Sequence, residues 1–349
     1  MSENLNIKSS YKSTILGCYV GYFVQSIVIN LMPLLFIPLK EQFGLSYSQL
    51  GILVSINFIT QLIFDIIFSK PVDKYGFRPF IFSAHILCVI GFLMLFSSAG
   101  GLLELLISPI IDSIPSNNKA SDMSLLHSFY AWGQFIVITI TSLFLFIFGM
   151  DKWNIIVFIW IIPAFLNIFI FMNAPLVNKV SSLEVMKIRD LFKSPVFIIA
   201  FFAIMFGASS EVTINQWAST FMSESLLIPK VYVDIIGMGS FAIMLGLGRV
   251  IYGKYGSKID VSKIMIIGSF CSFICYIIIA TSKVSEINIL ASALCGIFVS
   301  LLWPGTLVVA SEKLPLAGAS MFALLAASGD FGASLGPWFV GFITDSVNS

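Results

Sequence analysis

Apolar residues in this chain do not alternate with polar ones at the period of a strand or of an amphipathic surface helix. They come in long runs of about 18 residues or more, the length a helix needs to cross a bilayer core of ~30 Å. Hydropathy windows place such runs near 14–39, 47–69, 80–111, 124–149, 153–173, 196–222, 233–252, 262–281, 287–310 and 318–342. Polar residues collect in the short stretches between them. The pattern predicts an all-α polytopic membrane protein with no chain left over for a soluble domain.

Composition agrees: 58% of the residues are hydrophobic and 11% charged, against roughly 25% charged in a soluble domain. The polar start MSENLNIKSSYKS runs into a full-length first span, so no cleaved leader is expected. Lys and Arg then set the sides. With the N-terminus and segments 70–79, 112–123, 174–195, 249–263 and 311–317 in the cytoplasm, 15 of the 19 basic residues lie there, as the positive-inside rule requires. Lys40, Lys152, Lys230 and Lys283 fall outside. The expectation is a multi-pass protein of the cell membrane with a cytoplasmic N-terminus.

This sidedness creates a parity problem. Two basic loops, 70–79 and 174–195, demand an even number of crossings between them, yet three apolar segments are visible. The odd one is 80–115, whose 36 residues would make a helix of ~54 Å. That is too long for one crossing and short for two, so it reads as two spans with material missing between them. An internal repeat agrees. DKYGFR from Asp73 answers GKYGSK from Gly253 at an offset of 180, and SLLHSFYAWGQF from Ser124 answers SMFALLAASGDF from Ser320 at 196. The first half is thus shorter by the difference, 16 residues. The chain stops after the fifth span of the second half, which leaves eleven crossings of a twelve-span plan built from two parallel repeats.

Acidic residues inside spans are the candidate chemistry, since a charge at a helix centre costs about 2.5–3.5 kcal/mol on insertion scales. Asp65, Glu104, Glu211 and Asp330 qualify. A carboxyl group in a cavity between helices could hold a proton on one side of the membrane and release it on the other; the alternative is a carboxyl that ties helices together. Asp65, near the cytoplasmic end, is expected to reach water or pair with Lys70 or Lys74, a structural role. Amides and indoles nearby suit a hydroxylated solute: Gln25 and Asn30 on the first span, Asn57 and Gln61 on the second, Asn215, Gln216 and Trp217 on the seventh, and Trp303 beside Pro304 on the tenth. Glu211 and Asn215 share one helix face at i, i+4.

Other chemistries find no support. The five cysteines lie scattered in apolar runs and make no disulfide framework. A net charge of +1 speaks against nucleic acid. GRVIYGK from Gly248 mimics a phosphate loop, but Tyr255 follows it and a membrane helix precedes it, without the strand that such a loop requires. No catalytic triad, zinc spacing or HExxH occurs, so no enzyme, cofactor or metal is expected.

Two motifs carry a family resemblance. Ser69-Lys-Pro-Val-Asp73-Lys-Tyr-Gly76-Phe-Arg78 resembles the loop between spans two and three of the major facilitator superfamily, where a Gly, an Asp, a Gly and basic residues follow at fixed spacing. Asp73, Gly76 and Arg78 match; Ser69 and Pro71 stand where that pattern has Gly and Leu. Gly101-Leu-Leu-Glu104-Leu-Leu-Ile-Ser-Pro109 resembles the fourth span of the fucose-permease-like sugar–proton symporters, in which a buried Glu precedes a Pro by five. Those transporters also carry an acid on the first span; here Asn30 is the nearest polar group.

The resemblance implies two pseudo-symmetric six-helix bundles, incomplete here, divided as 1–173, a linker 174–195, and 196–349. It implies proton-coupled symport of a sugar-like small solute by alternating access, in a monomer embedded in the lipid bilayer. Glu104, Glu211 and Asp330 would couple protons. Gln25, Asn30, Asn215, Gln216, Trp217 and Trp303 would hold the solute, and Asp73, Gly76 and Arg78 would form a gating loop. A degraded transporter that carries nothing, or a membrane sensor that binds without flux, are the readings left open.

Overall fold

The computed structural model describes residues 10–91, 96–116, 119–176, 188–225, 229–255, 260–314 and 317–348. Every regular element among them is helical. In chain order they are α1 (Lys12–Leu34), α2 (Phe36–Phe43), α3 (Tyr47–Tyr75), α4 (Phe77–Gly91), α5 (Phe96–Ser113) and α6 (Lys119–Phe148). After a 3₁₀ turn follow α7 (Trp153–Ile159), α8 (Ile161–Met172), α9 (Ile188–Leu191) and α10 (Pro195–Ser225). The remainder are α11 (Lys230–Tyr232), a π-helical turn (Val233–Met238), α12 (Gly239–Tyr255), α13 (Val261–Thr281), α14 (Ser285–Val299), α15 (Leu302–Lys313) and α16 (Gly318–Asn348).

Eight stretches of the described residues are long and apolar enough to cross a membrane. The segment 80–111 is not one span: α4 and α5 are two short helices, as the charge parity requires. Within this pair the apolar stretches Phe77–Val89 and Gly100–Ile111 are each shorter than a full span. The outer surface confirms the solvent. On α13, Ile266, Ile267, Phe270 and Phe273 are exposed side by side, a continuous apolar face that would aggregate in water and that lipid covers.

Local chemistry sets the boundaries. Ser46 opens α3 with a capping box, its hydroxyl accepting from the Gln49 N–H while the Gln49 side chain accepts from the Ser46 N–H. Gly76 ends α3 at φ 77°, a conformation that costs glycine nothing, so the turn expected there is present. Arg78 donates to the carbonyls of Met172 at 2.9 Å and Ala174 at 2.6 Å, closing the exposed C-terminus of α8 within the same half. The side chain of Asp73, the third member of the expected gating loop, lies outside the described residues. Prolines break two spans. Pro163 removes the N–H that Ile159 would bond, and the chain changes helix at Trp160. Pro304 does the same to Ser300, where α14 gives way to α15.

The halves meet along three seams. α3 packs against α16 for most of its length, α6 packs against α12, and α1 touches α10. The first contact is close because Gly51 lies against the Trp338 backbone.

Candidate solute and proton site

Two proline-broken helices supply the backbone of the site. In α1, Pro33 leaves the Ile29 carbonyl without its helical donor, and Nε2 of Gln216 on α10 takes it at 3.2 Å. In the second half, the Ser300 carbonyl freed by Pro304 accepts from Nε of Arg249 at 3.2 Å. Each defect in a membrane helix thus becomes an acceptor for a side chain from another helix, the condition for irregular backbone at bilayer depth.

Glu104 sits on α5 and lines a cavity of about 60 Å³ together with Tyr22, Ser108, Trp303 and Phe322, so both halves contribute to its wall. Gln25 Nε2 donates to Glu104 Oε2 at 2.7 Å. The Tyr22 hydroxyl shares a hydrogen bond of 2.7 Å with Ser108 and lies 3.3 Å from Nε2 of His127. Ligand pockets run to about 300–1,000 Å³, so this cavity is small for a solute. Trp303 reaches the cavity because its ring packs on Gly329, where any Cβ would collide with it.

Glu211 has a partner that the sequence reading placed in a cytoplasmic loop. Arg249 is 2% exposed, inside α12, and one guanidinium nitrogen donates to both Glu211 oxygens at 2.9 and 3.0 Å. Its remaining nitrogens donate to the carbonyls of Ser300 and His127, so Arg249 ties three helices of the second half to α6 of the first. The signal was present in the sequence, since the apolar window 233–252 already ran past this residue. Lys230 is a second correction. Expected in an outer loop, it is 8% exposed and pairs with Asp234 at 2.8 Å, an acid that the list of buried carboxylates omitted.

The amides form a separate cluster between the halves. Asn215 donates to Asn30 at 2.6 Å and accepts from Gln134 at the same distance, while Asn30 bonds the Ser26 carbonyl. Trp217 donates to the Pro337 carbonyl and packs against Phe36 and Tyr47, away from the cavity. Of the expected solute contacts, Gln25 and Trp303 stand with Glu104. Asn30, Asn215 and Gln216 close the contact between α1 and α10.

Asp65 is fully buried on α3 and so departs from the expectation that it reaches water, while the side chains of Lys70 and Lys74, its other expected partners, lie outside the described residues; its carboxyl lies beside that of Asp330 on α16, itself 1% exposed. The residue does not reach water in this conformation, because α16 covers this face of α3.

Known proteins share this architecture. The sialic acid transporter NanX of Escherichia coli (strain K12) is 22% identical over 292 residues, 75% of this chain and 69% of the relative. Among solved structures, the E. coli fucose:proton symporter FucP superposes with a TM-score of 0.71 at 13% identity, over 97% of this chain and 94% of that one. A bacterial homolog of the human lysosomal transporter Spinster, inward-facing and occupied, gives 0.73 at 16% identity, over 96% and 82%. The family model of the Major Facilitator Superfamily matches residues 18–230. With described elements that are all helical, a cavity walled by both halves, and that match over more than half its length, the chain belongs to the major facilitator superfamily.

Proposed function

We propose that this chain is a proton-coupled symporter of a sugar or similar hydroxylated solute, working by alternating access between halves bounded at 1–173 and 196–349, with 174–195 as a cytoplasmic linker. The observation that carries the reading is Glu104: an acid with one amide partner, on the wall of a small cavity at the junction of the halves. Glu104 binds the coupling proton, and Gln25 and Trp303 present a donor and a flat face to the solute once the cavity widens. Separation of the Asn30–Asn215 and Gln216–Ile29 contacts opens the other side. The protein is a transporter of the cell membrane, with its N-terminus in the cytoplasm, and not an enzyme.

Purified protein in liposomes, tested with labelled fucose and sialic acid, checks this. An inward-acid gradient should drive accumulation, and Glu104→Gln should abolish the gradient-driven part while leaving solute exchange. Accumulation no faster with the gradient than without it would refute the coupling. A second reading, a solute bearing a carboxylate, is favoured by Arg249, a buried cation whose counter-ion Glu211 could be replaced by a solute acid. It predicts uptake of the acidic sugar and not of fucose.

A further inference from the structure

The seam between α3 and α16 holds buried polar groups that the proposed transport site does not use. Asn57, Gln61 and Asp65 recur at i, i+4, i+8 on α3, which puts them on one helix face, and all three are buried. Both polar atoms of the Gln61 amide, the Asn57 carbonyl oxygen and all four carboxyl oxygens of Asp65 and Asp330 have no hydrogen-bond partner among the described residues. Gln61 is held in place by Gly100 and Gly101 of α5, where a Cβ would strike its side chain and backbone.

Carboxyl groups without a donor are costly at this depth, and two carboxylates side by side repel each other as well. Their mutual geometry removes both problems at once if one carries a proton. The protonated group donates to the other, so a single hydrogen serves both, and the pair carries one negative charge instead of two. We propose that Asp65 and Asp330 bind one proton between them across the seam, a second proton site that holds α3 of the first half to α16 of the second.

Parting of the two helices exposes both carboxyls to water, where they ionise separately and the proton leaves. Closing the seam takes one up. The pair therefore binds a proton in the closed state and none in the open one, in addition to whatever Glu104 carries. Among the charged groups on neighbouring elements, Glu104 of α5 is a further acid near both carboxyls. Glu211 of α10 is neutralised by Arg249. His85 of α4 bonds Asn167 and the Ile81 carbonyl, while the side chains of Lys70, Asp73 and Lys74 on α3 lie outside the described residues. This inference deepens the proposed symport, but its test does not depend on transport.

Infrared spectroscopy of the purified chain in liposomes, titrated with acid and base in light and heavy water, reads the carboxylic-acid carbonyl stretch directly. The wild type should show a protonated carboxyl near neutral pH that shifts in heavy water. Asp65→Asn and Asp330→Asn should each remove it, because the new amide supplies the hydrogen that the proton supplied and the remaining carboxylate ionises. Glu104→Gln should leave that band in place. With Glu104→Gln as the background, so that the proton carried by Glu104 adds no band of its own, a band that persists in both asparagine variants, or is absent before they are made, overturns the shared proton. If uptake proves independent of the pH gradient while the band behaves as stated, the pair stands and the coupling at Glu104 falls.

Discussion

Removing either partner of the Glu211–Arg249 pair is predicted to have unequal consequences. The two side chains are 11% and 3% exposed and meet at 2.9 Å, so breaking the pair leaves an uncompensated charge where water cannot reach it. Such a break costs roughly 3–5 kcal/mol, whereas replacing both partners by apolar residues of similar size is often neutral. The two single losses differ in their remedy. Arg249→Met leaves a carboxylate that can take up a proton, so its destabilisation should shrink in acid. Glu211→Leu leaves a guanidinium that cannot lose its proton but keeps its bonds to the Ser300 and His127 carbonyls, so its cost should be insensitive to acid. The double replacement should fall well below the sum of the two. Unfolding in mixed micelles, followed by labelling of the buried thiols of Cys18, Cys88 and Cys295, gives the three free energies. A Glu211→Leu cost below ~1 kcal/mol, the range of an exposed pair, would refute the assignment of a dry, structural ion pair at this depth.

Gly332→Leu should cost about 1–3 kcal/mol by overpacking, because even a Cβ at Gly332 would collide with the Met205 carbonyl oxygen; a wild-type melting temperature would show that α10 and α16 do not approach so closely. Lys40→Met removes the 3.0 Å ion pair to Glu224 that joins the halves on the face opposite the basic loops. With both groups partly exposed, stability should move by less than ~1 kcal/mol, yet a cysteine placed at Thr220, one turn before Glu224, should label faster, and unchanged labelling would exclude the pair as a closure. Asp260 caps α13 through the Lys263 N–H, a bond that holds its carboxyl below the usual carboxylate range. That contribution is present above the ordinary carboxylate pKa and is lost as pH falls through the folded value. Asp260→Ala should therefore erase an acid-side rise in amide exchange across the first turn of α13, measured by mass spectrometry.

Long apolar runs determined the helical class, the spans and their order along the chain. These are properties of the chain against its solvent: a bilayer forces helices of a set length, and each residue contributes whether or not its neighbours in space are known. Gly76 was legible for the same reason, since a turn is local, whereas Arg78 reaches carbonyls 94 and 96 positions away. What the tertiary structure decided is which polar group meets which. Arg249 looked like a loop cation because its hydropathy is that of a loop, and its burial depends on Glu211 lying 38 positions away with Ser300 freed by a proline on a third helix. Asp65 looked able to reach water until α16 was seen to cover it, and the amides of Asn30 and Asn215 became a closure rather than a pocket because the halves meet there. Partners of buried charge are set by packing between segments distant in sequence, and no window along the chain contains both members of such a pair.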